Sequence, residues 1–254
     1  MEPLLSELMG DKSLDTDIPA NTAIVPVPKL ENDSYNWFDR HAEVLKIKNQ
    51  VNPEIIMLGN YITHFWGGDY RTLRHNDGTP RSPSNGPQSW ASVFAKHKVL
   101  NLSFGWDRTQ NVLWRLDHGE IDGLHPKAVI IEFGTNNTSQ TGNARANTAP
   151  EIVEGISAII GRVRSKIPHA KIVLMAIFPR EEDPKSAKRE QVNDINVLLK
   201  DFAQKNNITL VDIGPSLLDK DGRFPPGTMI DFVHPTDKGY FKWADAIRTF
   251  VDEP

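Results

Sequence analysis

Cysteine is missing from all 254 residues. Its absence excludes a disulfide scaffold, a thiol nucleophile, an iron–sulfur cluster and any zinc site with cysteine ligands. A basic tract is missing too. Lys and Arg number 29 against 33 Asp and Glu, a net charge of -4, so the electrostatic footprint of a nucleic-acid binder is lacking. The longest apolar runs, such as Ala128–Phe133 and Ile172–Phe178, fall far short of the roughly 20 residues that cross a bilayer. No nucleic-acid partner and no membrane insertion are expected. Phosphate-cradling loops, dinucleotide glycine turns and the paired histidines of a zinc-protease helix are also absent. The remaining histidine spacing suggests no metal, and no cofactor is expected. Met1–Met9 has neither the basic region nor the apolar core of a signal peptide, which leaves the compartment open between cytoplasm and a secreted or periplasmic location.

What is present is alternation. Five short apolar runs, Glu54–Leu58, Val99–Ser103, Ala128–Phe133, Ile172–Phe178 and Thr209–Ile213, read as strands buried on both faces. Helical patterns separate or flank them: Phe38–Gln50 with Phe38, Ala42 and Leu45 on one stripe, then Trp90–His97, Thr109–Leu116, Pro150–Lys166, Lys185–Asn206 and Pro235–Val251. This order predicts a parallel sheet with helices on both faces. We expect one three-layer α/β/α domain over 37–254, with residues 1–36 as an arm packed on it. Ligands in such folds bind outside the carboxyl ends of the strands. The segments 59–68, 104–108, 134–147, 179–187 and 214–235 therefore draw attention, as does the polar stretch 69–89 with Arg71, Arg74 and Arg81.

Three short motifs lie in those segments. Asp231-Phe-Val-His234 places a carboxylate three residues before a histidine, a spacing that can orient an imidazole as general base; the alternative is a helix-capping histidine beside a solvated aspartate. Gly134-Thr-Asn-Asn137 ends the central strand with an amide suited to a developing oxyanion, or forms an ordinary Asx turn. Asn101-Leu-Ser-Phe-Gly105 imitates a nucleophile elbow, but Ser103 after a buried strand reads as structural.

With Leu58-Gly-Asn-Tyr-Ile-Thr-His64 added, the pattern becomes specific. Leu58–His64, Asn101–Asp107, Gly134–Asn137 and Asp231–His234 resemble, in order, the four sequence blocks of the SGNH (GDSL) hydrolase superfamily. Asn111–Glu120 and Lys171–Arg180 are further similar to the catalytic α subunits of platelet-activating-factor acetylhydrolase Ib and their bacterial relatives. The resemblance implies a flavodoxin-like five-stranded parallel sheet and ester hydrolysis through an acyl-enzyme. It assigns His234 as base and then acid, and Asp231 as its orienting partner. Asn136 and the backbone N–H groups of Tyr61, Gly105 and Trp106 become the oxyanion hole, with Asn60, His64, Phe65, Trp66 and Asn137 near the substrate. It also admits a homodimer by analogy with the α subunits.

One departure dominates. The nucleophile position holds Tyr61 instead of serine, with Asn60 before it where the family has aspartate. A tyrosine oxygen lies about 6.5 Å from its Cα against roughly 2.4 Å for serine, from standard bond dimensions, so it cannot stand where a serine hydroxyl would. The sequence thus admits an O-acetylesterase on a carbohydrate or other small acetyl ester, with serine chemistry weakened or abolished. It also admits hydrolysis by another route, with Tyr61 or a water as nucleophile, and a non-catalytic glycan- or ester-binding protein. Phe65–Trp66 would be the sugar-stacking platform, and Trp90 and Trp114 core residues.

Overall fold

The structure, a computed structural model, describes residues 21–67 and 84–253. Arg71, Arg74 and Arg81 lie outside that range. The strands are β1 (Ile55–Gly59), β2 (Val99–Asn101), β3 (Ala128–Glu132), β4 (Lys171–Met175) and β5 (Thr209–Val211). All are parallel and run in the order β2-β1-β3-β4-β5, the flavodoxin-like arrangement. The chain moves outward from β1 to β2 and then crosses back to β3. The crevice between the carboxyl ends of β1 and β3 is therefore the topological switch point.

Eight helices accompany the sheet among the described residues: α1 (Trp37–Val51), α2 (Tyr61–His64), α3 (Pro87–Phe94), α4 (Thr109–Asp117), α5 (Ala149–Lys166), α6 (Ala187–Lys205), α7 (Gly214–Leu217) and α8 (Asp237–Asp252). Alternate strand residues divide between two cores. Ile56, Leu58, Val129, Ile131 and Leu174 pack under α1, α4, α5 and α6. Ile55, Met57, Ile130, Val173 and Met175 pack under α2, α3, α7 and α8. Both faces are covered, which is why the strands read as continuous apolar runs rather than alternating ones.

The expected elements form, with ends shifted by local chemistry. α5 begins at Ala149 because Thr148 and Glu151 close a reciprocal capping box. α8 begins at Asp237 because Thr236 caps it, so His234 stands outside the helix rather than capping it. The buried stripe of α1 is rotated from the expected one: Trp37, Arg40, His41, Val44 and Lys48 face inward, whereas Phe38 is 49% exposed and Ala42 is exposed. Charged side chains occupy the inner face because buried carboxylates and carbonyls await them, a signal that apolar periodicity does not carry. Of the expected arm, residues 1–20 lie outside the described residues; in 21–36, the Val27 and Pro28 carbonyls accept from Asn111 Nδ2 and Tyr35 is buried.

Candidate active site

β1 ends on a turn that only glycine permits. A Cβ on Gly59 would lie 2.1 Å from Thr63 Oγ1, so the chain folds back over its own strand there. Asn60 Oδ1 accepts from the Ile62 N–H at 2.8 Å and caps the short helix α2, placing Tyr61 at its first position. The Tyr61 ring stacks on Phe65 at 3.9 Å between centroids and presents an edge-on contact to the His234 imidazole at 4.4 Å. On a third side, a Cβ built on Gly105 would be 3.1 Å from Tyr61 Cδ2, so the ring also lies against the loop after β2. An aromatic ring thus fills the space beside the histidine.

His234 Nδ1 and Asp231 Oδ2 are 2.7 Å apart, and Asp231 also accepts the backbone N–H groups of Val233 and His234. Burial pushes the Asp231 carboxyl up, but these hydrogen bonds outweigh it and hold the group below the usual aspartate value. A carboxylate can only accept, so Nδ1 carries the proton and Nε2 keeps its lone pair for a substrate-side proton. The loop between them is braced by Glu181 N–H to Phe232 O and Ile230 N–H to His234 O, with Phe232 at a φ of 60°.

The neighbouring donors come from β2 and β3. Trp106 adopts a φ of 63°, a left-handed conformation that favours glycine. Its N–H makes no hydrogen bond among the described residues and is available to an oxyanion. The N–H of Gly105 is not available, because it donates to His64 Nδ1 at 3.1 Å. Asn136 follows Gly134, whose φ of 125° would bar a side chain. Its Nδ2 donates one hydrogen to Asp107 O at 2.9 Å, leaving the second amide hydrogen for a ligand. At position 106, glycine should exceed valine in stability by at least about 1 kcal/mol, since β-branching is costly in this conformation. Thermal melts of Trp106→Gly and Trp106→Val check this; equal melting temperatures would deny the strain.

Beneath that loop lies a charged network that spacing alone does not reveal. Asp107 accepts from Trp37 Nε1 at 2.7 Å and from Arg115 Nε at 2.8 Å, and Arg115 also pairs with Glu120, whose other oxygen meets His41 Nδ1 at 2.7 Å. Phe104 lies 4.0 Å below the Arg115 guanidinium. Burial pushes the Asp107 carboxyl up to about 6 despite the Arg115 charge and the Trp37 hydrogen bond.

Residues 57–241 match the GDSL-like lipase/acylhydrolase family. The chain belongs to it. Among the relatives of this GDSL-family chain, the α2 subunit of platelet-activating factor acetylhydrolase IB from Rattus norvegicus is 36% identical over 163 residues, 64% of this chain and 68% of that one. The Gallus gallus α2 subunit is 31% identical over 234 residues, 91% of each chain. The fold is shared with a putative acylhydrolase from Bacteroides fragilis, at TM-score 0.65 and 21% identity, covering 88% of this chain and 99% of the other. It is shared also with an acetylxylan esterase from Geobacillus stearothermophilus, at TM-score 0.57 and 16% identity, covering 77% and 92%.

Within this GDSL-family chain, the structure brings Tyr61 against His234, His234 against Asp231 and the Gly105 loop against the Tyr61 ring, and it ties Asn136 to the Asp107 carbonyl next to Trp106. Gly105 contributes no oxyanion N–H. Trp66 is fully buried, stacked on Trp243 at 4.4 Å with its Nε1 donating to Ser89 Oγ, so it is core rather than a sugar platform. Phe65, 6% exposed, backs Tyr61 instead of facing solvent. His64 orients the Gly105 loop. Asn137 is fully buried, accepting from Thr109 N–H and donating to Asn147 Oδ1. Asn60 serves the turn. Ser103 is buried, as expected of a structural residue, and Trp90 and Trp114 are half-buried against the two cores.

Proposed function

We propose that this chain is a carboxylic-ester hydrolase scaffold for small acyl esters, of the O-acetylesterase type on a carbohydrate or other small acetyl ester, with Tyr61 blocking the serine chemistry. One observation carries the reading: an Asp231–His234 pair at 2.7 Å whose imidazole meets an aromatic ring, 4.4 Å away, where a short hydroxyl would be needed. With a hydroxyl at position 61, His234 Nε2 takes its proton as the oxygen attacks the ester carbonyl. The Trp106 N–H and the Asn136 amide receive the negative charge. The imidazolium, held by Asp231, then returns the proton to the leaving alcohol, and a water repeats the sequence to free the acid. The names of the acetylhydrolase and acetylxylan esterase relatives support an acetyl group.

A scan of p-nitrophenyl acetate, butyrate and octanoate with the Tyr61→Ser variant tests the acyl preference. Acetate should lead butyrate by about 10-fold or more, given roughly 1–3 kcal/mol per ill-fitting methylene; a lead for octanoate would refute it. The same Tyr61 ring favours a second reading, a binder that stacks a sugar without turning it over. Saturable binding of an acetylated xylooligosaccharide by the parent, with no acetate released by either chain, would establish that reading instead.

A further inference from the structure

Glu132 is the last residue of β3 and stands opposite Gly59, the last residue of β1. Strand alternation aims it at the same face as Ile130, whose core includes Ile62, Trp66, Tyr240 and Trp243. It is 1% exposed, a carboxyl among apolar neighbours. The polar side chains beside it are Thr63 and Asn60, both from the turn that carries Tyr61. Asn60 Nδ2, Thr63 Oγ1 and both Glu132 carboxyl oxygens are buried, and none makes a hydrogen bond of ordinary geometry. Four polar atoms from three side chains are thus confined together under one turn.

The other anchors of that turn are already in place. Asn60 Oδ1 is taken by the Ile62 N–H, Tyr240 donates its hydroxyl to Ile62 O at 2.6 Å, and Asn101 Nδ2 donates to Thr63 O at 3.0 Å. Asn60 Nδ2 and Thr63 Oγ1 await partners, and a neutral carboxyl can meet both: one oxygen accepts from the amide while the other donates to, or accepts from, the Thr63 hydroxyl. An ionised carboxylate would accept from both donors, but it would be a buried charge with no cation beside it among the described residues, and burial outweighs what those two hydrogen bonds return.

We propose that neutral Glu132 is the positioning residue of the Asn60–His64 turn, tying Asn60 to Thr63 beneath Tyr61, and that its ionisation loosens the turn. The proposal rests on this turn being the nucleophile position, and on nothing about whether tyrosine reacts. Burial pushes the Glu132 carboxyl up to about 8, against the lowering effects of Thr63 and Asn60, and among the described residues no cation contributes. The ionisable group facing it from α8 is Tyr240, with Tyr61 and Asp231 acting on Tyr240 in turn. The pairing also gives Asn60 a reason to be an amide, since aspartate would set a second carboxyl against the first.

The sign of the pH effect follows from the raised value. Glu132 stays protonated in the folded chain while it ionises in the unfolded one, so its contribution is fully present below about 4.5, the ordinary range for glutamate. It is then lost as pH rises to about 8. The experiment compares the full-length parent with Glu132→Gln and Asn60→Asp, by melting temperature from pH 5 to 9 and by NMR titration of the His234 Hε1 resonance, which lies beside the Tyr61 ring. The melting temperature of Glu132→Gln should gain on the parent by about 5 °C or more between pH 5 and 8 and hold that gain above. In the parent, His234 should report an inflection near pH 8 beyond its own titration. That inflection should vanish in Glu132→Gln and move to higher pH in Asn60→Asp. Parallel melting curves, or histidine titrations identical in all three chains, would overturn the proposal. Neither readout uses turnover, so a failure of the esterase reading would leave this test intact.

Discussion

Tyr61→Ser should raise p-nitrophenyl acetate hydrolysis by on the order of 10²–10⁴-fold, the range supplied by a positioned general base acting on a nucleophile. His234 Nδ1 is fixed on Asp231 at 2.7 Å, so the direction of its other nitrogen is set before any substrate arrives. The turn is fixed by the Asn60 cap and by the Tyr240 hydroxyl on Ile62 O. What the parent chain lacks is a short oxygen at the start of α2, where the Tyr61 ring is wedged among Phe65, His234 and Gly105. Exchange for serine removes the ring and supplies that oxygen without asking anything else to move. Adding His234→Ala to Tyr61→Ser should return the rate to the parent's. A rate unchanged by Tyr61→Ser would mean that the donors are not aligned with position 61.

The second large effect is structural. Arg115→Met should lower stability by about 3–5 kcal/mol at pH 8, because it strips the cation from two buried carboxylates, Asp107 and Glu120. For a chain of this length that corresponds to a fall of roughly 10 °C in melting temperature. The pH dependence distinguishes this cause from lost packing. Asp107 already titrates at about 6, above the usual aspartate value, so its ionised form costs stability as pH rises through that range. Without Arg115 its value moves higher still. At pH 5 the stranded Asp107 carboxyl takes up a proton, and the loss should shrink. A deficit equal at pH 5 and pH 8 would assign the effect to packing instead. The loop above, with Trp106 and the Asp107 carbonyl that holds Asn136, should loosen with it.

The architecture was legible because its signals are periodic or local. Strands buried on both faces announce themselves as unbroken apolar runs, and Pro150 with Glu151 marks the start of α5 to within one residue. The Asp231–His234 contact was legible because the two residues are three apart, so a single loop brings them together. Contacts between distant segments were not. Asp107, Trp37, Glu120 and His41 meet only once α1, α4 and the loop after β2 have packed, and nothing in the apolar stripe of α1 foretold that Arg40 and His41 would face inward. Trp66 looked like a rim residue from its neighbouring glycines, yet it is the centre of an aromatic stack with Tyr240 and Trp243. Glu132 was visible in principle, as one acidic residue inside the apolar run Ala128–Phe133. Its meaning required knowing that β1 and β3 are neighbours and that the turn after β1 lies over it.

The central claim is that working base, orienter and oxyanion donors surround a position occupied by the wrong side chain. Intact-mass and peptide mapping after exposure to an alkyl fluorophosphonate tests it most directly, since the reagent phosphonylates a hydroxyl activated by a neighbouring base. The account predicts one label per chain at position 61 in Tyr61→Ser, lost when His234→Ala is added, and none on the parent. A parent chain labelled on Tyr61, or a Tyr61→Ser chain left unlabelled, would contradict it.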